Sequence, residues 1–247
     1  MVFNLTNTDT IAAFRRKTLN ADNIAFMNLI IPSISQQIAN YIGYSPEIEQ
    51  HIEEFNVSGY KFKFVTKGYK LHKLVELIND PDRVFTNTAI DSTSYHIRDR
   101  GLITVDNEVL SFGTGALKAT YYAGIALEAG EFIDILSTPP STPTSGDVYI
   151  VGASPTGVWV GQAKKVATYN GASWDFESQQ VKFLVNHPQL VLAATMQCES
   201  ILQKADKLGA NYTALQSHVS TYSANRNFLP EVMSLLDTYI RRVTPND

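Results

Sequence analysis

The sequence predicts an α+β fold: a helical bundle formed from N- and C-terminal helices, with a central β region carrying an inserted small β domain. Three observations lead there. Apolar residues recur at three- and four-residue spacing near both ends, the middle switches to two-residue alternation, and a proline-rich stretch precedes a short segment holding both tryptophans. A chain of 247 residues is long enough for one large domain or two small ones, and for a core that needs neither disulfides nor metals.

The first sixty residues read as helical, spanning 8–43. A short segment after Asn7 or Asp9 carries Ile11, Ala12 and Phe14 on one side. A longer helix follows with Asp22 as N-cap, an apolar stripe of Ile24, Met27, Ile31, Ile34, Ile38 and Tyr41, and Gly43 as its stop. Pro32 removes one backbone donor inside this pattern and predicts a kink or a helix in two pieces.

The β region is expected over 59–136. Tyr60, Phe62 and Phe64 alternate with Lys61 and Lys63, as in a half-buried strand. Leu71 to Asn79 is a second strand, ended by the turn signal Asn79-Asp80-Pro81-Asp82. Short strands follow at Tyr95–Ile97, Leu102–Val105, Val109–Phe112 and Leu117–Tyr122, with Gly113-Thr114-Gly115 read as a hairpin turn.

Residues 137–146 are a proline-rich polar linker without core-forming capacity, and a separate small β domain is expected over 137–178. Trp159 and Trp174 supply its core or a contact surface together with Tyr169, and Asn170-Gly171 signals a tight hairpin. Helices are then expected at 188–208 and 229–243. The first places Leu190, Val191, Ala194, Cys198, Ile201, Leu202, Ala205 and Leu208 on one stripe. The second carries Val232, Leu235, Leu236, Tyr239 and Ile240, with Arg241 and Arg242 suiting its C-terminal dipole. The larger domain is thus 1–136 together with 179–247.

Composition narrows the function classes. Charged residues are 18%, and 20 basic against 24 acidic residues give a net charge of −4, so no overall basic surplus points to nucleic acid or membranes. No apolar run approaches a membrane span, and the opening segment lacks the regions of a secretory signal, which predicts a start in the cytoplasm. The single cysteine, Cys198, excludes an internal disulfide and lies on an apolar stripe, so it reads as a core residue.

Catalytic patterns are absent, and no enzyme is expected. The histidines His51, His72, His96, His187 and His218 show no metal-ligand spacing, so no metal or cofactor is implied. Gly113-Thr114-Gly115 lacks the third glycine of a dinucleotide loop, and Ser154 lacks the second glycine of a nucleophile elbow. Glu49 and Glu53, four apart in the group Glu47, Glu49, Glu53 and Glu54, read as one solvated helical face.

Several segments in order resemble the head-to-tail connector or adaptor proteins of tailed bacteriophages. They are Ile38-Ala39-Asn40-Tyr41-Ile42-Gly43-Tyr44, residues 60–69, residues 79–85, Leu117 to Gly124, the helix opening His187-Pro188 with Gln197 inside it, and Leu229-Pro230-Glu231-Val232-Met233 to Arg242. The resemblance implies a structural virion protein that forms a dodecameric ring beneath the portal protein and extends the DNA channel. It would link the capsid to the next neck or tail protein, after assembly in the host cytoplasm. Genomic DNA would pass without sequence-specific binding, which a mildly acidic chain suits. In such adaptors the C-terminal end meets the portal, which makes Leu235, Leu236, Tyr239, Arg241 and Arg242 candidates for partner binding; closing the bundle is the other reading of these residues.

The insert has its own resemblance. Residues 145–152, 156–162 and 169–176 are similar to a small β module of phage structural and tail proteins, which implies a position on the particle; we expect it to project outward from the ring and to decorate the neck or contact fibres. The alternative is a tail or receptor component that binds carbohydrate on Trp159, Tyr169 and Trp174. A third reading, a cell-wall hydrolase, lacks an acid and base pair.

Overall fold

The computed structural model describes residues 3–58, 62–86, 88–98, 100–106, 110–208 and 228–240. The described residues divide into two compact units, one formed by residues before 44 together with those after 179, the other by residues 44–179. It is an α+β protein, with helices at both ends and strands in the middle.

The first unit is helical. Helix α1 spans Thr8–Arg15 and is capped by Asn7, whose side chain accepts from the Thr10 amide; it ends at Arg16 in the left-handed region at φ 53. Helix α2 spans Ala21–Ile42. Its N-cap is Asn20, which accepts from the Asn23 amide, so Asp22 instead occupies the first turn, where its charge suits the dipole. The expected span 8–43 is therefore two helices. The break falls at Arg16 and the following loop, whereas α2 runs on through Pro32. Gly43 ends α2 at φ +88, as its sequence position predicts.

Helices α3 (Gln179–Asn186), α4 (Pro188–Leu208) and α5 (Pro230–Leu236) complete the helical elements. Helix α4 packs against α1, α2 and α5. Leu190, Ala193, Ala194, Cys198 and Leu202 are fully buried on it, and face Met27, Ile34 and Ile38 of α2 and Val232 and Leu236 of α5 as the core of this unit. Of the expected α2 stripe, Met27, Ile31, Ile34 and Ile38 are buried and Ile24 is 40% exposed; Phe26 and Ile30 widen the buried face. Polar ties accompany the apolar contacts. Thr6 and Thr195 share a hydroxyl hydrogen bond of 2.8 Å, Arg15 Nε lies 3.3 Å from the buried carboxylate of Glu199, and Gln197 accepts from the Leu229 amide at 3.2 Å. The expected helix 229–243 is shorter, because α5 ends at Leu236 and residues 237–239 form a turn; residues 241–243 lie outside the described residues.

The second unit begins with a strand that the sequence reading assigned to helix. Strand β1, Glu49–Val57, pairs antiparallel with β6, Gly113–Ala123, and β6 pairs on its other side with β3, Leu71–Asn79. The β region thus starts ten residues before the expected 59, and Glu49 and Glu53 share one strand face with His51 rather than a helical surface. Gly113-Thr114-Gly115 is the start of β6, not a hairpin turn. A second sheet has the order β2-β5-β4, formed by Lys63–Val65, Leu102–Val105 and Tyr95–Arg98. In the expected strand at 60–64, Phe64 is buried and Phe62 is 38% exposed, and Tyr60 lies outside the described residues.

These two sheets share a core of Phe64, Leu77, Ile103, Val105, Leu117, Ala119 and Tyr121. Tyr121 is fully buried; its hydroxyl donates to the Glu53 carboxylate and accepts from the Gly68 amide at 3.0 Å. Burial and then the Glu53 carboxylate push its ionisation far up, so it stays a neutral donor. Asp80 holds the turn after β3, accepting from the amides of Asp82 at 3.0 Å and Phe85 at 2.7 Å.

A third sheet has the order β10-β9-β8-β7, from Trp174–Ser178, Lys165–Tyr169, Val148–Val151 and Asp134–Leu136. Its last strand precedes the proline-rich stretch and runs parallel to β8. Residues 137–146 therefore connect two neighbouring strands of one sheet. The backbone between β6 and this sheet passes close to the start of the unit. At Gly124, φ +154, a Cβ would lie 2.3 Å from the Glu47 carbonyl oxygen. We expect Gly124→Ala to cost at least about 2 kcal/mol, because backbone on both sides must move and the dihedral disfavours a side chain. A thermal melt within a degree of the parent would contradict this packing.

Candidate functional site

The residues expected to matter form two groups, one in each unit. In the helical unit, Leu236 is fully buried, and Leu235 and Tyr239 are half-buried. The Tyr239 ring stands edge-on to His187 at 6.2 Å, and His187 in turn lies 5.1 Å from Phe183. Beside them Asp237 accepts a 2.7 Å hydrogen bond from Tyr41 of α2. The α5 end is thereby tied to α2 through Tyr41 and to His187, which lies between α3 and α4. Arg241 and Arg242 lie outside the described residues.

In the third sheet, the expected aromatic residues come together. Trp159 is fully buried and stands edge-on to Trp174 at 5.0 Å, while Tyr169 lies 5.1 Å from Trp174 and Tyr149 lies 5.9 Å from it. Tyr169 and Trp174 are half-buried, whereas Val158 and Val160 on either side of Trp159 are 69% and 67% exposed. This is a packed aromatic core, with centroid spacings suited to edge-to-face attraction. The Asn170-Gly171 turn closes it: Asn170 Oδ1 accepts from the amides of Ala172 and Ser173 at 3.0 and 2.8 Å.

A third group was missed by sequence reasoning and joins this sheet to β1 and β3. Gln179, 1% exposed, accepts from the Ile48 amide at 2.8 Å and donates to the carbonyls of Ile48 at 3.0 Å and Lys164 at 2.7 Å. The Lys164 ammonium lies 2.9 Å from Glu47 and 2.5 Å from Glu49. Lys73 of β3 donates to Asp134 at 2.8 Å and to the Ile135 carbonyl at 2.9 Å, and the Tyr122 hydroxyl of β6 accepts from the Ala153 amide at 3.1 Å. Lys164 sits in the left-handed region at φ 65, an uncommon conformation that its backbone bonds to Val151 and Gln179 hold in place. A positive-φ lysine carries no sequence signal, and the carboxylates that meet it are more than a hundred residues away.

Cys198 is buried, and burial pushes its thiol up to about 12, so no thiolate nucleophile is present there at neutral pH. Among the described residues no group of three or more potential ligands gathers to hold a metal. No described helix is long and apolar enough to cross a membrane.

Residues 133–183 match a family described as a protein of unknown function, DUF2793. No curated protein matches the sequence. A solved chain from the neck of a native GTA particle, computed with C12 symmetry, is similar over 99% of this chain and 98% of its own length, at 11% identity and a TM-score of 0.44.

The Lys164 cluster has a defined pH dependence. Burial raises the Glu49 carboxyl, but Lys164 more than reverses this and leaves it below its ordinary 4.5; burial lowers Lys164, and Glu49 and Glu47 leave it above its ordinary 10.5. The depressed carboxylate contributes stability above its unfolded value and loses it as pH falls through the folded one; the raised ammonium loses its share as pH rises through its own folded value. Lys164→Met should therefore destabilise the protein most near neutrality, by on the order of 1 kcal/mol after allowing for solvent at the half-exposed ammonium. The difference in Tm between parent and variant should shrink as pH falls below about 4.5. A difference independent of pH would assign the effect to packing.

Proposed function

We propose that this chain is a structural subunit of a phage-like particle neck: a head-to-tail adaptor that assembles as a dodecameric ring beneath the portal protein. In this reading the ring extends the DNA channel, contacts the next neck or tail protein, and resides in the virion. The observation that carries it is architectural. Helices from the two chain ends close into one unit, and a continuous β excursion lies between them, in the order in which the adaptor-like segments follow one another along the sequence.

Within the proposal, residues 137–178 form an inserted domain that faces away from the ring and decorates the neck. Leu235, Tyr239, Arg241 and Arg242 belong to the end that meets the portal, with Leu236 anchoring that end from inside the helical unit. Mixing the purified protein with the portal protein from its own genome should give a complex whose mass and averaged images show a ring on one portal face. A protein that stays monomeric and unbound would overturn the adaptor assignment.

The alternative, a carbohydrate-binding tail component, requires an accessible aromatic platform; Trp159 is fully buried, and Tyr169 and Trp174 are half-buried against it. Tryptophan emission should accordingly be blue-shifted and unchanged by added saccharides. Quenching or a spectral shift on saccharide addition would favour the receptor role.

A further inference from the structure

Strand β1 is a sheet edge. In the order β1-β6-β3 it pairs with β6 alone, and among the described residues no hydrogen bond reaches the backbone of Glu49–Phe55 from the other side. Natural edges carry lysine, proline or a bulge that turns a further strand away. This strand has neither lysine nor proline, and its irregularity between Phe55 and Val57 lies beyond the regular run Glu49–Phe55. Gln50, Ile52 and Glu54 are exposed on one face of that run, Ile52 at 65%, and Glu49, His51, Glu53 and Phe55 are half-buried on the other.

The carboxylates of this edge are paired within the chain. Glu49 meets Lys164 and Glu54 meets Arg83, while Glu53 accepts from the Tyr121 hydroxyl and the Lys67 amide. Among the described residues Glu53 Oε2 receives only the longer Lys67 bond, 3.1 Å, and keeps a lone pair. The His51 ring stacks on Tyr121 at 5.2 Å and makes no hydrogen bond among the described residues. The edge therefore does not repel a neighbouring strand as a bare row of carboxylates would.

An edge offers the same backbone groups to any extended partner, so the side chains choose the occupant and its register. A second copy of β1, laid antiparallel about a two-fold axis at Ile52, matches this strand. Ile52 then faces Ile52, Gln50 faces Glu54, His51 faces Glu53 and Glu49 faces Phe55, each pair lying on one side of the sheet. The axis falls at the middle of the regular run. Shifting the register by one two-residue step sets Glu49 opposite Glu53 in one direction and Glu53 opposite itself in the other, and like charges so placed destabilise a pair. We propose that β1 is a self-pairing edge, through which two copies of this chain join in the Ile52-centred register. The joint sheet runs β3-β6-β1-β1-β6-β3, and His51 donates to Glu53 of the other copy. One strand pair buries less than the roughly 1,200 Å² of a stable interface, so the dimer is weak and reversible. A two-fold contact closes on itself and does not repeat around a ring, so this pairing belongs to the free chain and is independent of the neck reading.

Sedimentation equilibrium of the full chain over rising concentration should show a monomer–dimer equilibrium. Ile52→Lys, the guard that natural edges carry, should leave only monomer. Leu29→Lys, the same kind of change at a 54% exposed site of the helical unit, should leave the dimer unchanged. Circular dichroism and melting establish that both variants are folded. Register is read with a short bifunctional thiol reagent, to which the buried Cys198 of the parent should give no product. Ile52→Cys should cross-link to itself, whereas Gln50→Cys and Glu54→Cys should cross-link when mixed and not singly. A parent that stays monomeric at every concentration, a dimer that survives Ile52→Lys, or cross-linking strongest for Gln50→Cys or Glu54→Cys alone would overturn the proposal. No portal is present in these assays, so a chain that dimerises through β1 yet joins no portal counts against the neck reading alone.

Discussion

The β unit depends on one buried side chain that ties its start to its end. The chain passes into this unit after Gly43 and out of it after Gln179, and the Gln179 amide bonds both polar groups of Ile48 and the carbonyl of Lys164. A side-chain amide here does the work of a missing strand partner. It satisfies backbone groups that would otherwise be buried without one, each at a cost of about 1–3 kcal/mol. Closing so long an excursion carries an entropic penalty that grows only slowly with length, so a few well-satisfied contacts at the closure can offset it. Lys164 with Glu47 and Glu49, and Lys73 with Asp134, extend the same closure along β1 and β3.

This closure explains why the third sheet is part of the β unit instead of a loosely tethered appendage. Its strand β7 precedes the proline-rich stretch, its strand β8 lies beside β7, and its Ala153 amide reaches Tyr122 at the centre of the first sheet. The aromatic core of Trp159, Trp174, Tyr149 and Tyr169 keeps that sheet internally rigid. The Tyr121 hydroxyl, with Glu53 and Gly68, fixes the chain leading into β3 against β6.

Much of this was legible in the sequence where a local signal coincides with tertiary structure. The expected strand Leu71–Asn79 coincides with β3, because the Asn79-Asp80-Pro81-Asp82 turn signal marks its end. Pro188 marks the start of α4, and Gly43 the stop of α2, for reasons confined to a single turn. Strand β1 carries no clear strand signal because Glu49, His51 and Glu53 place polar side chains on the same half-buried face as Phe55, which hides the spacing by twos. Its stability comes from β6, which lies some sixty residues further on. The Gln179 and Lys164 contacts depend on positions whose partners are fixed by folding alone.

The central claim concerns where in a particle this chain resides, and its location there tests that claim most directly. A short epitope inserted in the exposed Asn170–Ser173 turn can be labelled and imaged on purified particles. The account predicts label at the junction of head and tail, repeated around the axis. Label confined to the far end of the tail, or none on particles that contain the tagged chain, would contradict it.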